Sequence, residues 1–294
     1  MSQGRQETEW TIKALLQWTT EHFQKASIES PRLCAEILLS HVLKCKRLEL
    51  YTRFDFIPEP DKLAEFKKLI KRCINHEPVQ YLIGSAGFYS LDFIVNSSVL
   101  IPRPETEAIV TAAIDYLRSN NIESPTALDL CTGSSCIACA LAKNNPDVKI
   151  IAIDISVDAL ETASRNIESH NLDDRITLIQ SDMFSNIPAD QTFDLLLSNP
   201  PYVNDKRMNE LPANVKHEPR SALHGGDDGL DFYKIIINEG TSKINPGGQL
   251  IIEIDHDQSG AITEMLEATQ QYENIKILRD HNNHERIMLA QKTS

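Results

Sequence analysis

Three observations predict a mostly parallel α/β domain preceded by a small helical domain. From residue 126 onward, strand-like and helix-like stretches alternate. Acidic or amide side chains recur where those strands end. Residues 10–76, by contrast, carry apolar stripes at helical spacing and no strand-like run.

Trp10, Leu15, Leu16, Trp18 and Phe23 form the first stripe. Leu33, Ile37, Leu38, His41 and Val42 form a second after the start signal Ser30-Pro31. Leu63, Phe66, Leu69, Ile70 and Cys73 form a third, with Lys67, Lys68, Lys71 and Arg72 on its other, solvated face. Residues 1–77 are read as a bundle of about four helices. Residues 78–103 hold two β-type runs around Asn96-Ser97-Ser98, the pattern of a hairpin linking the domains. Pro104, Glu105 and Glu107 then suit the N-terminus of a helix over 108–118.

In residues 104–294 the expected strands are 126–130, 149–153, 175–180, 193–197, 248–254, 274–278 and 286–290. The helices between them are 136–143, 157–169, 230–243 and 261–269. The last two strands have no helix between them, so they pair antiparallel. The expectation is a seven-stranded, mostly parallel sheet with one reversed strand at the end.

At 294 residues, with 41% hydrophobic and 24% charged residues, the chain has the composition of a globular protein. Its net charge is -13, and the excess falls on residues 86–294, where Asp and Glu outnumber Lys and Arg 31 to 16. So acidic a half is a poor non-specific partner for nucleic acid. Cys136 and Cys139 sit two residues apart inside an apolar helical run, so they read as small buried hydrophobes, and no metal site is expected. The six cysteines fit a reducing, cytoplasmic setting. The polar N-terminus lacks a signal peptide, no run is long enough for a membrane, and nothing demands more than a monomer.

The strand over 193–197 runs into Ser198-Asn199-Pro200-Pro201-Tyr202. Two prolines cannot continue a ladder, so an amide is held on a stiff turn where open α/β sheets place their ligands. The Asn199 side-chain oxygen and the Pro200 carbonyl are neighbouring acceptors able to grip both hydrogens of a planar NH2 group. Tyr202 can pack on that plane. Asn and Pro are also ordinary turn residues, so the motif alone does not decide.

The first strand ends Asp129-Leu130-Cys131-Thr132-Gly133-Ser134-Ser135. This is a strand–turn–helix junction, yet it has one glycine and no phosphate-loop spacing. Asp154 ends the second strand, where such folds hold a ribose diol, and Ile155 follows it. Asp182 follows the third, placed to accept from an adenine amino group while Met183 or Phe184 covers the ring. Three strand-end acids without a phosphate loop point to a cationic nucleoside, and S-adenosylmethionine fits. Each acid taken alone could equally be a helix cap.

Four motifs carry a family resemblance: Asp-Leu-Cys-Thr-Gly-Ser (129–134), Ile-Asp-Ile-Ser (153–156), Asn-Pro-Pro-Tyr (199–202) and Leu-Ile-Pro-Arg-Pro-Glu-Thr-Glu (100–107). Together with Gly-Gly-Asp-Asp-Gly-Leu (225–230) they resemble the HemK/PrmC family of protein glutamine methyltransferases, over nearly the whole chain. That resemblance implies a class I Rossmann-like methyltransferase fold. It also implies methyl transfer from S-adenosylmethionine to the glutamine N5 of the Gly-Gly-Gln motif of peptide chain release factors, with S-adenosylhomocysteine as product. Asn199, Pro200 and Tyr202 are then the catalytic set, Pro201, Arg103 and Glu105 shape the substrate entrance, and the helical domain over 1–77 serves substrate recognition. Asp129, Thr132, Gly133, Ser134, Asp154, Ile155, Asp182, Met183 and Asn199 contact the cofactor. The chain departs from the family at Ser135 and Asp255, where glycine is usual, and at 281–284. A ribosomal-protein glutamine methyltransferase, a nucleic-acid amino methyltransferase and a non-catalytic cofactor-binding protein remain alternatives. Gly247-Gly248-Gln249 repeats the substrate tripeptide but reads as turn chemistry.

Overall fold

Residues 9–294 are described by a computed structural model. It divides into two compact units, Met1–Gly84 with Ala213–His217, and Ser85–Pro212 with Glu218–Ser294. In the first unit lie helices α1 (Ile12–Lys25), α2 (Pro31–Leu43), α3 (Arg47–Thr52), α4 (Pro60–Ile74) and α5 (Val79–Ile83). Their stripes close on one core that includes Leu16, Phe23, Leu38, Val42, Phe66, Ile70 and Cys73. Trp10, Trp18 and Leu33 of the expected stripes are exposed instead. Trp18 lies stacked on His22, one turn along α1. Helix α5 carries the unit past residue 77, because Val79 and Leu82 are buried in the same core. Gly84, at φ 73°, ends it.

The hairpin is real, but its turn lies elsewhere than expected. Strands β1 (Ser85–Phe88) and β2 (Leu91–Ile94) pair around Tyr89-Ser90, not around Asn96-Ser97-Ser98. Both turn residues have positive φ (49° and 62°), the geometry whose twist matches a two-residue hairpin. The Tyr89 N–H is taken by Glu107 Oε1 at 2.8 Å, which supports an otherwise unfavourable conformation. Asn96 makes a local turn instead, its Oδ1 accepting from Ser98 N at 2.8 Å.

The remaining elements are α6 (Glu107–Asn120), β3 (Thr126–Leu130), α7 (Cys136–Asn144), β4 (Lys149–Asp154), α8 (Val157–Ser169) and β5 (Ile176–Gln180). After them come β6 (Phe193–Ser198), α9 (Asp205–Glu210), α10 (Asp231–Gly240), β7 (Ile244–Glu253), α11 (Ser259–Thr269), β8 (Tyr272–Arg279) and β9 (Glu285–Lys292). The sheet order is β5-β4-β3-β6-β7-β9-β8. Strand β9, last in the chain, is antiparallel to both neighbours and lies between β7 and β8 rather than on the edge. Alternating residues feed two cores. Ala127, Leu195 and Leu197 pack under α6 and α7, while Leu128, Leu196 and Leu250 pack against Tyr233, Ile236 and Leu266 of α10 and α11. Strand order reverses between β3 and β6, which opens the crevice that holds ligands in such sheets. Cys136 and Cys139 are buried in α7 as expected, and burial pushes the Cys136 thiol up to about 12. The Gly247-Gly248 decoy lies within β7, where the Gly247 carbonyl accepts from Tyr116 Oη at 2.7 Å. No helix among the described residues is long and apolar enough to cross a membrane.

Candidate active site

A cavity of about 470 Å³ opens over the carboxyl ends of β3, β4, β5 and β6. Thr132, Gly133, Ser134, Asp154, Ile155, Asp182, Met183, Asn199, Pro201 and Arg103 of the expected site all line it. Pro200, Tyr202, Asp129 and Glu105 do not.

The β3 end is shaped by its backbone. Cys131, Gly133 and Ser135 all have left-handed φ (58°, 53° and 63°), so the chain curls tightly before α7 begins. A Cβ on Gly133 would meet nothing within 4 Å, so this backbone is open to an approaching ligand. Asp154 ties the loop to β4. Its Oδ2 accepts from Gly133 N at 2.9 Å and its Oδ1 from Ser156 N at 3.0 Å. Burial holds its carboxyl above the usual carboxylate range. Asp129 behaves differently from expectation. It is fully buried beneath the loop, where its Oδ2 accepts from Thr132 Oγ1 at 2.6 Å. Burial pushes it up to about 7, its Oδ1 is also buried without a partner, and it braces the loop from outside the cavity lining.

The β6 end is shaped by side chains and close packing. The Asn199 Nδ2 donates to Thr106 Oγ1 at 3.1 Å, and Thr106 donates to Glu253 Oε2 at 2.5 Å. The Asn199 Oδ1 is buried without a hydrogen-bond partner. A buried acceptor in that state is costly and rare, and Asn199 lines the cavity, whereas the other unpartnered buried side-chain atoms among the described residues, Thr19 Oγ1 and Asp129 Oδ1, belong to residues outside it. Behind the turn, Gly225 and Gly229 approach so closely that a Cβ would lie 2.7 Å from the Pro201 carbonyl oxygen and 2.5 Å from that of Tyr202. Gln258 Nε2 donates to the Tyr202 carbonyl at 3.0 Å. This explains the Gly-Gly-Asp-Asp-Gly-Leu motif: it presses the Asn-Pro-Pro-Tyr turn into one position. The Tyr202 side chain joins the apolar cluster behind the turn, where burial raises its phenol well above the ordinary range.

Arg103 reaches the cavity but is committed, since it pairs with the buried carboxylate of Glu218, which also accepts from Ile101 N at 3.1 Å. Glu105 is solvent-exposed outside the cavity. Asp255, the second departure from the family, is buried in an ion pair with Arg207. Sequence reasoning missed Thr106, Glu253, Arg220, His224 and Phe232. Thr106 lay inside a quoted motif without a role. Glu253 was signalled only by a charge at the end of an apolar strand.

The description "PrmC N-terminal domain" matches residues 14–84, and "Methyltransferase small domain" matches residues 111–282. A release factor glutamine methyltransferase of Rhodopirellula baltica is 44% identical over 99% of this chain and 100% of its own length. One of Geobacter sulfurreducens is 40% identical over 88% of this chain and 89% of its own length. Among solved structures, a methyltransferase from Pyrococcus furiosus shares the fold, with a TM-score of 0.51 at 17% identity, covering 80% of this chain and 100% of that one. The chain belongs to the PrmC family of release factor glutamine methyltransferases.

Proposed function

We propose that this chain methylates the side-chain amide nitrogen (N5) of the glutamine in the Gly-Gly-Gln motif of peptide chain release factors. The observation that carries the reading is the unpartnered Asn199 Oδ1 on a strand-end turn. A glutamine NH2 supplies the donor that this buried oxygen lacks.

S-adenosylmethionine suits the cavity by the chemistry of its lining. The lining holds no lysine, and both its arginines already face carboxylates, Arg103 toward Glu218 and Arg220 toward Asp205. Such a surface favours a phosphate-free, cationic nucleoside. Asp154 would take the ribose hydroxyls, Asp182 the adenine amine with Met183 beside the ring, and the open backbone at Gly133 and Ser134 the methionine end. When bound, the cofactor supplies an electrophilic methyl group.

The protein's task is to improve a poor nucleophile. An amide nitrogen shares its lone pair with its carbonyl. Asn199 Oδ1 and the Pro200 carbonyl hold its two hydrogens, polarise both N–H bonds and aim the nitrogen. Tyr202 stiffens the turn that carries these acceptors. The motif holds no general base, so the amide proton passes to water after the new C–N bond forms. The helical first unit and the hairpin serve recognition of a large protein substrate.

The test offers labelled S-adenosylmethionine with a release factor, a ribosomal protein and duplex DNA in parallel. Label entering the release factor supports the reading. Label entering only one of the others, or none despite cofactor binding, refutes it.

A further inference from the structure

We propose that Thr106 and Glu253 are positioning residues that fix which end of the Asn199 amide faces the substrate. This rests on Asn199 being the amide-gripping group and deepens that reading.

Three elements converge here from distant parts of the chain: the start of α6, the end of β6 and the end of β7. Thr106 and Glu253 are each 2% exposed, so water does not compete for their hydrogen bonds. The ordering follows from counting protons. A threonine hydroxyl has one proton, and a carboxylate can only accept. With Glu253 Oε2 2.5 Å away, the Thr106 proton points to the carboxylate. Thr106 Oγ1 then has only lone pairs to offer Asn199, 3.1 Å away, so it must face the Nδ2 end. The Oδ1 end, which Thr106 does not hold, is left buried without a partner. A reversed Asn199 would set its own two N–H donors against those of the substrate, and the grip would become a repulsion.

The same logic gives a pH signature. Protonated Glu253 can donate to Thr106, which frees the Thr106 proton for the Asn199 oxygen and undoes the ordering. Burial, with a smaller push from Glu105, raises the Glu253 carboxyl to about 7 against the downward pull of Thr106, Arg286 and Arg103. Tyr202, Tyr233 and Asp255 stand nearby, with Tyr233 Oη on the Glu253 carbonyl at 3.0 Å. Activity therefore rises with pH across the Glu253 titration.

The test compares wild type with Thr106→Val, Thr106→Ser and Glu253→Gln, measuring kcat, KM and cofactor affinity against a release factor. Thr106→Val should lower kcat by about 10-fold, the order expected from losing one orienting hydrogen bond. Its cofactor affinity should stay within about twofold, and Thr106→Ser should restore kcat. Glu253→Gln should lower kcat and abolish the rising pH limb. Undiminished kcat in Thr106→Val, or equal loss in Thr106→Ser, overturns the relay. A second readout needs no turnover: hydrogen exchange of the Asn199 side-chain NH2 by 15N NMR. Slow exchange in wild type and Thr106→Ser but fast exchange in Thr106→Val supports the relay, and equal rates in all three overturn it. Should wild type fail to methylate the release factor, the substrate reading falls while the exchange rates still judge the relay.

Discussion

The ends of β3 and β6 lie side by side at the reversal of the sheet, and they are held in place by opposite means. At β3 the shape comes from backbone: Cys131, Gly133 and Ser135 curl in the left-handed region, and Asp154 ties the curl to β4. At β6 the shape comes from outside the segment. Two prolines stiffen it, Gly225 and Gly229 press on its back, and Thr106 holds the Asn199 side chain. The difference follows from the chemistry each end would perform. A loop that wraps a ligand needs exposed backbone groups, whereas a side chain that aims an atom must be clamped.

That contrast is sharpened most by removing the aimed group. Asn199→Ala should reduce kcat by at least ~100-fold, as loss of an oriented polar group at a reacting centre does, with cofactor affinity within about twofold. Single-turnover rates beside calorimetry check this, and near-normal turnover would break the contrast. Gly225→Ala comes next. Its Cβ would sit 2.7 Å from the Pro201 carbonyl oxygen and 2.8 Å from the Tyr202 Cα, so the turn must shift. A displacement of about 1 Å should bring the loss of kcat toward ~100-fold while leaving the β3 end able to bind cofactor.

The two acids behind the β3 loop should separate cleanly. Asp154→Ala should weaken cofactor binding by roughly 10-fold, the scale of a lost hydrogen bond to a charged group, with saturated turnover little changed. Asp129→Asn should leave binding nearly intact and alter stability instead. Burial raises the folded carboxyl to about 7 from its ordinary 3.8. Across that window the unfolded chain has released a proton that the folded chain keeps, so stability falls as pH rises and levels off above about 7. Asparagine cannot ionise, so the loss of melting temperature between about pH 5 and pH 8 should shrink in the variant. The smallest effect belongs to Ser135→Gly. Serine at φ 63° strains the backbone, and glycine relieves it. Chemical denaturation should show a gain of about 1 kcal/mol.

Some element boundaries were legible in the sequence, since 126–130 matches β3 and 157–169 matches α8 in full, but β7 begins four residues before the expected 248 and β8 two before the expected 274. The Asn199 turn was legible because Pro-Pro leaves a strand no way to continue. The withdrawal of Asp129 was not, since a strand-end acid may point up into the crevice or down beneath the loop, and only the left-handed curl decides. The hairpin turn was misplaced because Tyr89 and Ser90 are poor residues for positive φ, and the support that permits them, Glu107, lies 18 positions away. The Thr106–Glu253 pairing spans 147 positions, beyond the reach of any local pattern.

The central claim is that the β6 end grips an NH2 group. Its most direct test presents the protein with release factors carrying glutamine, glutamate or alanine after Gly-Gly, with the methylated residue located by mass spectrometry. The account predicts a methyl on the side-chain nitrogen of glutamine and none on the other two proteins. Methylation of the glutamate protein, or equal labelling of all three, would contradict it.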